Sequence, residues 1–363
     1  MNAILVLALA AALWPGGEDD STSDEGAVAL AAQAPGRRMA AIVRLGMLAR
    51  PDGLRRLARL TESDDPSVRL AAERALARAG DAGVLERVAA RARDESAPTR
   101  FEALTLLREA PALPPSARLA AERALGDADP AMRLLALDLL TVHPARASAP
   151  ALAGMIADSN REVRLAAIRA VAAAGHPCVI LALLDRIDGP DRVERVAIIQ
   201  ALGAVGEHPG LSAGPALLRQ LQAQANDASD DVRAAAVDAL GRLRWVPAVP
   251  ALRTVASRPA RDFLSRRAIH ALAAIGDAVA IDALVTLLGE PGPADDVLRA
   301  LRRVGSPAVV AIARIVPHAH PTRAEAAATL LGDIGDRRAT PALVDALTGR
   351  PAIALATARA LAA

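Results

Sequence analysis

With 363 residues and a formal net charge of only +2, the chain has no long-range field to hold a polyanion. Its four aromatics, Trp14, Phe101, Trp245 and Phe263, are too few for base-stacking platforms or aromatic cages. All 43 basic residues are arginine, tyrosine is absent and alanine abounds, the usage of a GC-rich bacterial genome. Cys178 stands alone, which excludes an intrachain disulfide framework, and between apolar neighbours it reads as a small core residue.

The chain opens with an apolar run from Ala3 to Trp14. That is too short to span a bilayer, which takes ~20 residues, but it has the length of a signal-peptide core. Residues 1–14 are therefore read as a signal or hydrophobic segment, and an exported, periplasmic location is favoured over a cytoplasmic one. No Lys or Arg precedes Arg37, so the usual positive flank is missing. Residues 15–35, with Pro15-Gly16-Gly17 and the acidic stretch Glu18 to Glu25, read as a flexible linker.

From residue 36 to 363 a large apolar residue returns about every 32 positions: Leu45, Leu76, Leu107, Leu140, Val171, Leu202, Leu240, Leu272, Leu301, Leu331 and Leu361. Seven positions before it stands an arginine in the first seven copies: Arg38, Arg69, Arg100, Arg133, Arg164, Arg195 and Arg233. Four before it stands alanine in eight copies, Ala72, Ala103 and Ala136 among them. Offsets of −7, −4 and 0 share one face of a helix, here named helix A, and the alanine is the expected point of close approach between neighbouring helices. Asp65-Pro66 and Asp129-Pro130 mark its starts, and a glycine four after the landmark (Gly80, Gly175, Gly206, Gly276, Gly305, Gly335) marks its end. A second helix, B, opens at Pro150, Pro215, Pro250 and Pro341, each followed by Ala-Leu.

The run Asp-Asp-Pro-Ser-Val-Arg-Leu-Ala-Ala (64–72), the run Asp-Val-Arg-Ala-Ala-Ala-Val-Asp-Ala-Leu-Gly (231–241) and Ile-Gly-Asp at 275–277 resemble HEAT repeats, in particular the short HEAT-like repeat named after phycocyanobilin lyases. The resemblance implies an all-α, right-handed α-solenoid, a HEAT/armadillo-like superhelix of about ten two-helix repeats. It also implies that the seven arginines form a structural ladder between repeats, paired with upstream acids such as Asp65, Glu95, Asp129, Asp158, Asp191 and Asp231. In the last four copies Ser265, Ala294, Ala324 and Ala354 replace the arginine.

No catalytic constellation emerges. Three His-Pro pairs (His143, His176, His208) fall in turns of successive repeats, about 10 Å apart, too far to share one metal. His318 and His320 have no third ligand, and no cofactor motif occurs. The expected function is a non-catalytic protein–protein interaction scaffold, binding on the concave or insert-bearing face. The alternatives are a bilin-lyase-like enzyme or chaperone subunit and, disfavoured by charge, a DNA-binding HEAT protein.

Two irregularities point to the binding region. Between Leu202 and Leu240 seven extra residues enter, three in the turn from His208 to Gly214 and four that lengthen helix B over 217–224. Residues 242–267 then carry seven arginines against one acid, Asp262, together with Trp245 and Phe263. The expected contacts are Gln220, Gln224, Arg253, Arg258, Arg261, Phe263, Arg266 and Arg267, and the expected partner is an acidic protein segment.

Overall fold

The computed structural model describes residues 35–206, 213–222, 230–258, 263–289, 294–349 and 351–362. The expectations for residues 1–34, for the turn insert at 207–212, and for Gln224 and Arg261 lie outside these. Among the described residues all regular structure is helical, and no helix is long and apolar enough to cross a membrane. The helices fall into two units that meet at Ser148 and Ala149, inside the fourth repeat, a boundary the repeat pattern does not announce.

The first unit alternates A helices α1 (Pro35–Leu48), α3 (Pro66–Ala79), α5 (Ala97–Arg108) and α7 (Pro130–Val142) with B helices α2 (Pro51–Leu60), α4 (Ala82–Arg91) and α6 (Pro115–Ala124). The second begins with B helix α8 (Ala149–Met155), followed by α9 (Arg161–Ala174), α10 (Val179–Leu184), α11 (Arg192–Val205), α12 (Gly214–Gln222) and α13 (Asp230–Arg242). It continues through α14 (Val249–Ala256), α15 (Phe263–Ile275), α16 (Ala278–Gly289) and α17 (Ala294–Val304). It closes with α18 (Val309–Ile315), α19 (Pro321–Ile334), α20 (Thr340–Gly349) and α21 (Ala354–Ala362). Odd-numbered helices are the A helices. Within each unit each A helix packs on the next A helix and each B helix packs on the A helix that follows it, and most B helices also touch the next B.

The periodic residue sits where that packing requires. Leu76, Leu107, Val171, Leu202, Leu240, Leu272 and Leu301 are fully buried, each contributing about 1.5–3 kcal/mol relative to exposure. Only Leu45 and Leu361, in the outermost A helices described, are half-exposed. Most of the alanines four residues earlier are buried as well, Ala72, Ala103 and Ala136 among them, and the A helices also approach closely one residue after the landmark. A Cβ on Gly203 would lie 2.9 Å from Ala239 Cα, and one on Gly241 would lie 2.9 Å from Ala271 Cα. Gly46 meets Ala75 and Gly332 meets Ala360 in the same register. The residue just after the landmark therefore touches the residue just before the next landmark.

Helix ends follow the expected chemistry. Asp65, Asp129 and Asp191 each accept a 2.9 Å bond from the backbone N–H two residues on, and Asn160 does so at 2.8 Å. Gly80, Gly175 and Gly335 end α3, α9 and α19 in the left-handed conformation. Ala49 and Arg244 hold the same position with φ of 44° and 51° without glycine, whereas α5 and α7, with Pro111 and Pro144 there, end without a left-handed residue. Several B helices are entered by a 3₁₀ turn, as at Arg146–Ser148, Val246–Ala248 and Ser306–Ala308.

Cys178 departs from expectation. It is exposed at the N-cap of α10, because the inward positions of that short helix are taken by Val179, Ile180 and Leu183. Its backbone N–H donates to His176 Nδ1 at 3.2 Å, so the His-Pro pair here is a turn element.

Candidate functional site

The arginine ladder accounts for most of the charged residues set out in the sequence, though not with the acids expected. Arg100 Nη1 donates to the carbonyl oxygens of Asp94 (3.0 Å) and Glu95 (2.8 Å), while its Nε and Nη2 donate to Asp127 of the next repeat (3.2 and 2.8 Å). Arg164 does the same with the carbonyls of Asp158 and Ser159 and with Glu194, at 3.0 Å in the last case. Arg69 and Arg133 hold the equivalent turn carbonyls, Arg38 lies 4.0 Å from Asp65, and Arg233 pairs with Asp230. Arg195 is half-buried at the same register, its Nε without a hydrogen bond.

The upstream acid thus offers its carbonyl, while the carboxylate that closes the ladder comes from the next repeat. The reason is reach: a side chain one turn into helix A faces the carbonyls of the preceding turn, and the acid's own carboxylate is occupied in capping. Ser265 keeps the first half of this arrangement. It is fully buried and donates to the carbonyl of Ala256 at 2.8 Å.

Two acids at these turns are held below the ordinary carboxylate range. Asp127 is kept below the ordinary carboxylate range first by the N–H of Asp129 and then by Arg100. Asp191 is lowered to about 2, chiefly by the guanidinium of Arg161 from the preceding repeat. Glu194, 5% exposed, is clamped between Arg164 and Arg186, the latter at 2.7 Å.

The expected contact residues do not form one patch. Gln220 is buried and donates to Asp188 at 2.6 Å, so it is spent inside the fold. Arg253 is exposed on α14. Arg242 and Arg244 lie at the C-terminal end of α13, whereas Arg258, Arg266 and Arg267 lie at the N-terminal end of α15. About 15 Å of helix separates the two groups. Trp245 is half-buried against Gly214, where a Cβ would fall 2.2 Å from the indole Cε2, so it packs the insert-bearing helix. Arg267 stacks over Phe263, 4.5 Å from the ring centroid, and pairs with Asp238.

Phe263 and Arg267 nevertheless belong to a site. Six residues before each landmark the A helices face outward, and six successive copies carry a large apolar side chain there. In the first unit these are Met39, Leu70, Phe101 and Leu134, with Phe101 49% exposed, and in the second they are Leu165 and Val196. At the next copy the residue is Ala234, and the ridge drops into a groove of about 450 Å³ between α11, α13 and α15. Ala234 and Ala235 form its floor, Val193 and Val196 one wall, and Phe263 the other. The ion pairs Arg192–Asp231 and Arg267–Asp238 stand at its corners. A smaller hollow of about 170 Å³ in the same register, beside Glu325, Asp333 and Arg359 on α19 and α21, is more strongly charged.

The sequence did contain a signal for the groove. Val193 and Phe263 both stand nine residues before their landmarks, and Ala234 follows six large apolar residues at its register and precedes Arg266, Asp295 and Glu325.

Stacked A–B helix pairs with buried periodic leucines and arginine-closed turns define a helical-repeat protein. Models of HEAT repeats match residues 118–203 and 218–302, and that of the PBS lyase HEAT-like repeat matches 324–349. The chain is a HEAT-repeat protein, with repeats of the phycobilin-lyase type among them. No curated protein sequence matches it.

Among solved structures, importin beta matches with 15% identity over 90% of this chain and 55% of its own, at a TM-score of 0.52, a likeness of fold. YibA of Escherichia coli matches with 15% identity over 80% and 99%, at a TM-score of 0.44. The complex of CpcE and CpcF of phycocyanin lyase from Nostoc matches with 19% identity over 64% and 92%, at 0.35.

Proposed function

We propose that the protein is a non-catalytic interaction scaffold whose partner is another protein, bound around α11–α15. The observation that carries this reading is the groove of the second unit between α11, α13 and α15, bordered by Val193 and Phe263, which are exposed at one register of the A helices. Exposed apolar residues scattered singly need no explanation, but two that border one groove mark a surface built for contact. The ladder arginines are tied to turn carbonyls and neighbouring acids, which leaves them structural. An acidic segment remains the expected partner, because Arg266 is exposed beside the groove on a nearly neutral chain.

The test is chemical cross-linking of the full chain in extract of its native host, followed by mapping of the cross-links and elution over a salt series. A protein joined to α11–α15, and released by Arg258→Glu with Arg266→Glu, is the expected result. Recovery of a pigmented protein whose chromophore attachment depends on this chain would favour the lyase-like reading. Salt-released DNA would favour the nucleic-acid reading, and either outcome would displace the scaffold.

A further inference from the structure

The groove between α11, α13 and α15 has the outline of a helix. Its floor is Asp231, Ala234, Ala235 and Asp238, spaced i, i+3, i+4, i+7, hence a single stripe along α13. Its walls follow the same spacing, Val193 and Val196 on α11 and Phe263 and Arg267 on α15. A trough running parallel to three helix axes and about two turns long takes the apolar stripe of a fourth helix, since helices pack about 8–10 Å apart.

Three features shape it. Gly203 and Gly241 draw the C-terminal halves of the A helices together, while the groove lies over their N-terminal halves. Ala234 leaves room where the neighbouring repeats carry Val196 and Arg266. Both corner ion pairs are internally neutral and Gln200 is the one uncharged polar residue of the lining, so the groove asks for a mainly apolar surface without charge.

Its flank asks for something else. Arg266 occupies on α15 the outward register that Val196 and Ala234 hold on α11 and α13, and it is exposed with no ion pair among the described residues. We infer that this groove on the A-helix side is a docking site for an amphipathic α-helix of a partner protein, with small or aliphatic residues at i, i+3/i+4, i+7 and acidic residues along the edge that meets Arg266. The inference rests on the scaffold reading and deepens it by naming the surface and the shape and charge of the ligand. The mode is a helix laid in a groove, with Phe263 as the aromatic anchor.

The experiment uses the full chain and three fluorescein-labelled synthetic peptides about four turns long. One carries leucines at helical spacing with glutamates on one edge, the second has lysines in place of the glutamates, and the third has the first peptide's composition scrambled. Fluorescence anisotropy is expected to show the first peptide binding at least about tenfold tighter than the other two. Val193→Glu with Phe263→Ser, both at exposed positions, should weaken it by about tenfold or more, with the circular dichroism spectrum unchanged. Arg266→Glu should shift the preference toward the lysine peptide.

Equal binding of the scrambled peptide, or binding untouched by V193E/F263S, overturns the proposal. So does a change of oligomeric state on V193E/F263S in light scattering, which would make the occupant a second copy of this chain. None of these results removes the scaffold reading, which stands or falls on the outcomes of cross-linking in host extract.

Discussion

Along α3, α5 and α7 the outward register carries Leu70, Phe101 and Leu134; along α11, α13 and α15 it carries Val196, Ala234 and Arg266. The backbone plan of the two regions is the same. Each has buried landmarks and an outward face. Helices α3, α13 and α15 run into positive-φ residues at Gly80, Arg244 and Gly276, and Arg69, Arg100 and Arg133 bind back to the turns before α3, α5 and α7. In the first region the side chains build a ridge, and in the second they pass from apolar to hollow to charged. A solenoid can therefore change what it presents without changing how it stands, because each repeat needs only its inner face to hold its neighbours. Function has to be sought where the outer register departs from its own pattern.

The largest effect that tests the shared plan is Leu240→Ala. The side chain is fully buried, and its loss should cost about 2–5 kcal/mol in denaturant unfolding. Hydrogen exchange should speed up in α11, α13 and α15 and stay unchanged in α1, α3 and α5, since coupling passes between neighbours. Faster exchange spread evenly through both units would break the comparison by showing a single cooperative core.

Next comes the glycine that draws α13 onto α15. Gly241→Ala would place a Cβ 2.9 Å from the Ala271 backbone. The resulting strain, about 1–3 kcal/mol, should outweigh the gain of up to about 1 kcal/mol from better helix propensity. Gly154 in α8, with nothing within 4 Å, is the control. Gly154→Ala should stabilise by up to about 1 kcal/mol. Thermal melts of the two variants should thus move in opposite directions.

How much of this was legible in the sequence follows from the same contrast. The period of the landmark placed every A helix described, because burial at spacing −7, −4 and 0 leaves one solution for a helix face. The alanine four before the landmark is the small residue expected to admit a neighbour, and it is buried in most copies; a further close contact falls on Gly203 and Gly241, visible only as Leu-Gly at 202–203 and 240–241. The ladder acids were misassigned because sequence distance favours Glu95 for Arg100, whereas the fold brings Asp127 of the next repeat to the guanidinium.

The arginine count over 242–267 suggested one patch. Composition carries no direction, and α13 and α15 set Arg244 and Arg266 at opposite ends. Of the expected contacts, Phe263 and Arg267 line the groove, while Gln220 was drawn inward by Asp188.

A smaller effect tests whether the turn or its residue sets the repeat. Arg244 holds a left-handed conformation at φ 51°, where Gly175 holds 61°. Arg244→Gly should stabilise by about 0.5–1 kcal/mol, part of the strain relief being offset by glycine's greater freedom in the unfolded chain. Gly175→Ala, with nothing within 4 Å to clash, should lose about 1 kcal/mol through the backbone alone. If Arg244→Gly proved destabilising, the arginine would be making a contact that outweighs its strained backbone, and the irregular region would be less free than the regular one.

The smallest effect is electrostatic and compares two neighbouring caps. Asn160 and Asp191 stand at the same register at the starts of α9 and α11, and both accept N–H bonds from the first turn. Only Asp191 carries a charge, and the Arg161 guanidinium lowers its pKa from 3.8 to about 2. The folded state therefore prefers the ionised form. The resulting stability is present above pH 3.8 and is lost as the pH falls through about 2. Asp191→Asn keeps the cap and discards the charge, so it isolates this term. Because Arg161 is half-exposed, the difference from the parent protein should stay below about 1 kcal/mol at pH 5. It should shrink steadily in melts taken down to pH 2, and added salt should reduce it. A gap that persisted unchanged at pH 2 would mean that the cap geometry, and not the charge, separates the two repeats.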